Sequence, residues 1–99
     1  MKLYAITESY QWYKGADATH WGVYKTIEEA KAALIEIIKD KYEYLKDMFL
    51  DDGVEEEEVE AEIDKWINDR FLNHDHTEWL DEDDDSVTKF YIDETSLDD

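Results

Sequence analysis

The sequence predicts a single α+β domain over residues 1–95, followed by an acidic tail at 96–99. The predicted architecture is a small three-stranded sheet, a β-hairpin plus a C-terminal strand, covered on one face by a helical hairpin. Three observations lead there. Apolar and polar residues alternate near both ends of the chain, the period of a half-buried strand. Two central stretches place apolar residues three and four apart, the period of a helix face. The 99 residues suit one domain with a modest core, since a chain of this size buries roughly 60–70% of the surface its unfolded form exposes.

Lys2–Ser9 alternates Leu3, Ala5 and Thr7 with Tyr4, Ile6 and Glu8 and reads as the first strand, which Tyr10–Tyr13 can extend. Lys14–Thr19 contains Gly15 and Asp17 and is the expected hairpin loop. His20–Lys25 returns as the second strand, with Trp21 and Val23 expected on one face and Tyr24 on the other. Thr26–Phe49 reads as one long helix. Thr26 and Glu29 form a capping box, each satisfying a free backbone donor. Ile27, Ala30, Leu34, Ile37, Ile38, Leu45 and Met48 or Phe49 make its apolar stripe.

Asp51-Asp52-Gly53 ends that helix. Gly53 either supplies the left-handed stop or opens the next helix beside an Asp52 cap. A second helix is expected from Glu55 to Leu72, with Val59, Ile63, Trp66, Ile67 and Phe71 on its buried face. His74–Leu80 has no clear period, and Thr77–Leu80 fits one helical turn whose Trp79 closes the core. Asp81–Asp85 is expected to be solvated. Val87–Asp93 reads as the third strand, with Phe90 and Ile92 inward.

Charge is segregated. The chain carries a net −19. Residues 1–49 hold seven Lys against eight acids, while residues 50–99 hold only Lys65, Arg70 and Lys89 against twenty-one. The halves are therefore near −1 and −18. Such a surface is repelled by nucleic acid and anionic lipid and attracted to basic proteins, at a cost in self-repulsion. The chain has no Cys, which excludes disulfides and thiolate chemistry and suits a reducing compartment. The first residues lack the apolar run of a signal peptide, and no stretch approaches ~20 apolar residues. A cytoplasmic location is expected.

Four segments resemble a layout that recurs in small proteins of bacteriophages and mobile elements. They are Tyr4-Ala5-Ile6-Thr7-Glu8, Gly22-Val23-Tyr24, Thr26-Ile27-Glu28-Glu29-Ala30 and Phe90-Tyr91-Ile92-Asp93. In that layout a strand ending in Thr-Glu leads through a hairpin to a Gly-Val-aromatic strand, a helix opening Thr/Ser-x-Glu-Glu-Ala, and a closing strand. The resemblance covers about half of the chain. It implies a fold and a phage-type source in an infected bacterial host, and no activity.

Candidate enzymatic and metal chemistry is thin. His74-Asp75-His76 offers two imidazoles, but zinc needs three or four converging ligands. Asp81, Asp83 and Asp85 have the opening spacing of a calcium loop, yet Ser86 stands where Gly is required and Ile92 where a bidentate Glu is required. Ser9, Ser86 and Ser96 lack a nucleophile-elbow context, and the three Gly are too scattered for a phosphate loop. No enzyme, no cofactor and no metal site are expected.

The second helix is the sharpest feature. On a helical wheel Glu55, Glu58, Glu62 and Asp69 flank one side of its apolar stripe, and Glu57, Glu60 and Asp64 flank the other. Eight acids span Glu55 to Asp69. At ~1.5 Å per residue that is one charge per ~2.6 Å, against one per ~1.7 Å in duplex DNA. In charge and format the chain resembles the DNA-mimic inhibitors by which phages block restriction enzymes and CRISPR effectors.

The expected function is thus an acidic phage-type inhibitor that occupies a basic nucleic-acid-binding surface, by anti-CRISPR or anti-restriction action. It would bind through those seven residues with Asp81, Asp83, Asp84 and Asp85. The aromatic hairpin, with Trp12, Tyr13 and Trp21 foremost, is the second candidate interface, because Trp and Tyr are enriched in binding hot spots. An immunity protein or antitoxin against a basic nuclease toxin would use the same electrostatics. A structural or regulatory phage protein would need the acids only for solubility.

Overall fold

The structure is a computed structural model that describes residues 2–73 and 75–96. Its elements are β1 (Lys2–Trp12), β2 (Gly15–Tyr24), α1 (Ile27–Lys41), α2 (Leu45–Asp51), α3 (Glu56–Asn68), β3 (Glu78–Glu82) and β4 (Ser86–Ser96). The fold is α+β. The sheet has four antiparallel strands in the order β2-β1-β4-β3, one more than the sequence predicts.

The extra strand is β3, where a helical turn is expected. Its residue Trp79 pairs with Phe90 of β4 and is completely buried. A turn of helix would offer Trp79 the same core but would leave the edge of β4 without a ladder. Trp79 does close the core, as expected. β4 runs beyond the expected Val87–Asp93 to Ser96, because β1 pairs with it along its whole length, from Trp12↔Ser86 to Lys2↔Ser96. The tail residues 97–99 lie outside the described residues.

The first hairpin is longer and tighter than expected. Trp12 pairs with Gly15, so the connection is only Tyr13-Lys14, and Gly15–Thr19 belongs to β2 rather than to a loop. Ala16, Asp17 and Ala18 are poor strand formers held extended by their β1 partners. The ladder shifts register between Ile6 and Thr7, with Trp21 as the extra residue between Gly22 and His20. A bulge reverses the alternation of side chains. Trp21 therefore lies on the helix side, where its indole donates to Glu8, while Val23 faces the other way. That corrects the expected pairing of Trp21 with Val23.

The single long helix is broken. α1 stops at Lys41, and α2 begins at Leu45. Between them Leu45 N–H donates to Tyr42 C=O at 3.0 Å and Lys46 N–H to Glu43 C=O at 3.1 Å, the tighter three-residue bonding of a 3₁₀ turn. The bend turns the Tyr42 ring inward against Trp66 and Trp79, at centroid separations of 5.0 and 5.3 Å. Periodicity alone cannot see such a break, since Leu34, Ile38, Tyr42 and Leu45 keep helical spacing through it.

Gly53 is the stop. Val54 N–H donates to Phe49 C=O at 3.0 Å and Gly53 N–H to Leu50 C=O at 3.2 Å, with Gly53 at φ 93°. This is a Schellman ending, which needs a left-handed residue at that position. α3 then runs back along α2, so the helical hairpin is α2–α3, while α1 lies on the sheet. α3 ends at Asn68 rather than Leu72 because the chain beyond it joins the sheet edge: Leu80 N–H donates to Arg70 C=O and Leu72 N–H to Glu78 C=O.

The core sits between the helices and one face of the sheet. Ile6, Leu34, Ile38, Tyr42, Leu45, Ile67, Trp79 and Phe90 form it, with Ile37, Ile63, Trp66 and Ile92 packed at its margin. No helix of the structure is long and apolar enough to cross a membrane.

Candidate functional site

The acids fall into two kinds. Glu55, Glu57, Glu58, Glu60, Glu62, Asp64 and Asp69 are all exposed on α3 or at its caps, as the apolar stripe of Val59, Ile63, Trp66 and Ile67 turns the opposite side inward. The two flanking rows differ. On one side Asp64 meets Lys39 of α1 at 3.2 Å, and Glu60 and Asp64 line a groove of about 290 Å³ with Lys39 and Lys46. That row is partly neutralised from within. Among the described residues, Glu55, Glu58, Glu62 and Asp69 form no ion pair.

Asp81 leaves the solvated run. It accepts from the Tyr42 hydroxyl at 3.0 Å and from Arg70 Nε at 3.4 Å. The Arg70 guanidinium also lies 3.7 Å from the Trp66 ring centroid and donates to the Trp66 carbonyl. The expectation that all of Asp81–Asp85 is solvated fails here, because β3 turns Asp81 toward the helices. Burial, reinforced by the bond to Asp81 and its charge, pushes the Tyr42 hydroxyl well above its ordinary value of 10.0. Tyr44 is also raised, by burial and by the charges of Asp81 and Asp83.

Asp83, Asp84 and Asp85 occupy the β3–β4 turn, closed by Asp83 N–H donating to Ser86 C=O at 2.8 Å. Because Trp12 pairs with Ser86, this turn stands beside the Tyr13-Lys14 turn. A groove of about 330 Å³ between them is lined by Trp12, Tyr13, Asp83, Asp84 and Asp85. Tyr10 stacks on Trp12 with centroids 5.2 Å apart, and Tyr13 is 81% exposed. The acidic run and the aromatic tip are therefore one end of the molecule rather than rival surfaces. Sequence spacing could not show this; the signal is the register of β1 on β4.

Trp21 does not join that tip. It sits about 20 Å away along the hairpin, at ~3.3 Å per residue. There its indole donates to Glu8 at 2.9 Å, and Glu8 also accepts from Lys41 at the end of α1. The Glu8 side chain is only 9% exposed, while Trp21 is 44% exposed, so the cluster clamps sheet to helix around a buried carboxylate at the edge of the fold. Tyr24 packs against the core. The aromatic cluster expected over residues 10–24 is thus dispersed over three places.

Among the described residues no three His, Asp or Glu side chains converge as a metal site. His76 stacks on Phe71 with centroids 4.5 Å apart, and His74 lies outside the described residues. Comparison with protein-family models, with curated proteins and with solved structures returns no match.

Proposed function

We propose that the chain is an acidic inhibitor that binds the basic, nucleic-acid-binding surface of another protein, with anti-CRISPR or anti-restriction action as the leading use. The observation that supports it is the outward row Glu55, Glu58, Glu62 and Asp69. Among the described residues these carboxylates pair with no cation, while the inner acids Glu8 and Asp81 each have one. A fold that pairs its inner acids and leaves a row unpaired has charge available for a partner. Asp83, Asp84 and Asp85, beside Trp12 and Tyr13, extend the acidic surface at the sheet tip.

Attraction of this kind is summed over many sites and speeds association. Reversing Glu58, Glu62 and Asp69 to Lys should slow binding by at least about tenfold at low salt and leave the fold intact. The test is gel-shift competition: wild type should displace DNA from a captured restriction or CRISPR protein, and the triple variant should not. Equal displacement by both proteins would refute the reading.

A second reading is an immunity protein or antitoxin for a basic nuclease. The tip favours it, since exposed Tyr13 beside half-buried Trp12 offers a concentrated anchor rather than a diffuse field. Under that reading Trp12→Ala abolishes binding, while the triple Lys variant weakens it only modestly.

A further inference from the structure

The groove at the sheet tip is lined by two kinds of group. The β1–β2 side contributes the rings of Trp12 and Tyr13, and the β3–β4 turn contributes Asp83, Asp84 and Asp85. Tyr10 stacks on Trp12 at 5.2 Å, which holds that ring in place before anything binds. Among the described residues the three aspartates form no ion pair. Lys14, the cation of the adjoining turn, lies over the Tyr13 ring at 5.5 Å and does not line the groove. We infer that this groove takes an arginine side chain of a basic partner protein, its guanidinium stacked on the rings and donating to the carboxylates.

The chain itself shows what such a pair of groups holds. Its single arginine, Arg70, lies 3.7 Å from the Trp66 ring centroid while its Nε donates to Asp81 at 3.4 Å. The tip offers the same combination, an indole and aspartates, without an arginine of its own. The chemistry favours that side chain. An aromatic face attracts a cation through its quadrupole, and a carboxylate accepts a forked pair of N–H bonds. A guanidinium is planar and weakly hydrated, so it can lie flat on a ring and present that fork at once, whereas an ammonium is a compact, strongly hydrated point charge. Charge excludes other occupants. A second copy brings a net −19, nucleic acid and anionic lipid are repelled, and an apolar side chain would strip water from carboxylates without replacing it. The groove of about 330 Å³ has room for one long side chain.

This arginine site rests on the reading of the partner as a basic protein and names the group that enters the tip. The test is titration of the full chain with two peptides of one charge each, acetyl-Gly-Arg-Gly-amide and acetyl-Gly-Lys-Gly-amide, followed by proton–nitrogen correlation NMR. The arginine peptide should shift the Trp12 indole N–H and the Gly15 and Ser86 amides saturably, leave the α3 amides in place, and bind more tightly than the lysine peptide. Tyr13→Leu removes one ring at an exposed position and should weaken the arginine peptide roughly two- to fivefold. Asp83→Asn, Asp84→Asn and Asp85→Asn together should weaken it at least as much. Equal binding of the two peptides would overturn the inference, as would shifts centred on α3, no shift at all, or indifference to either set of substitutions. Should a variant misfold, the comparison of the two peptides on the wild type decides alone. No defence protein enters this measurement. Its failure therefore leaves the gel-shift competition standing, and failure of that competition leaves a tip that binds the peptide.

Discussion

Glu8 and Glu58 carry the same group into opposite circumstances. Glu8 lies under α1, accepting from Lys41 and from the Trp21 indole, and is nearly inaccessible. Glu58 stands in the open on α3, without an ion-pair partner among the described residues. Asp81 and Asp83, two residues apart on one hairpin, repeat the contrast: one is tied to Tyr42 and Arg70, the other turns out to solvent. An acid that desolvates must bring partners, because an uncompensated buried charge costs several kcal/mol. An acid left in water contributes little to stability and remains free to act at long range. The inner acids therefore hold the layers together, and the outer acids are the ones available to a partner.

The most direct way to break this contrast is to remove the core that shields the inner acids. Trp79→Ala should cost about 3–5 kcal/mol in urea titration. Trp79 is wholly buried, donates to the Ile67 carbonyl at 2.8 Å and backs the Tyr42 ring. A loss under 1 kcal/mol would mean that the aromatic layer is not the main support.

Removing an inner acid should come next. Glu8→Ala leaves Lys41 and the Trp21 indole without their acceptor and should cost about 1–3 kcal/mol. Glu58→Ala should leave the urea midpoint where it is. Equal midpoints for the two variants would erase the distinction between inner and outer acids.

Tyr42 sharpens the contrast through pH. Its hydroxyl is held protonated above its ordinary value of 10.0, first by burial and then by the Asp81 bond. The unfolded chain releases this proton near pH 10 while the folded chain keeps it. The stabilisation is therefore complete below pH 10 and is lost as pH rises beyond it. Urea midpoints should fall more steeply above pH 10 in wild type than in Tyr42→Phe. Identical slopes would show that Tyr42 ionises freely in the fold.

The smallest effect concerns the outer acids together. Raising salt from 0.01 to 0.1 M shortens the Debye length from ~30 to ~10 Å. It should raise the melting temperature by a few degrees, as about 1 kcal/mol corresponds to roughly 4–8 °C in a domain of this size. Reversing Glu58 and Glu62 to Lys should flatten that response. A melting temperature that does not rise with salt would show that repulsion among outer acids does not limit stability.

Periodicity and composition by themselves determined much of this protein. The α+β class, both N-terminal strands, the Thr26 cap, the burial of Leu34, Ile38 and Ile67 and the inward phase of Phe90 follow from local pattern. Thr26 accepts from Glu29 N–H at 3.1 Å, which is one half of the expected capping box; the Glu29 side chain makes no return bond to Thr26 N–H. The outward acids of α3 were equally legible, because a helix with one apolar stripe must turn its charges away. Tertiary structure alone decided the rest. Strand β3, the bulge at Trp21, the break at Tyr42 and the early end of α3 each serve a contact distant in sequence. These are Phe90 for Trp79, Glu8 for Trp21, Trp66 and Trp79 for Tyr42, and Glu78 with Leu80 for residues 70–72. The same holds for the meeting of Trp12 with Asp83–Asp85, which the β1–β4 register brings about across more than seventy residues. Local pattern reports which side of an element prefers water. It carries no information on which distant element will cover that side, and that choice separates Asp81 from Asp83.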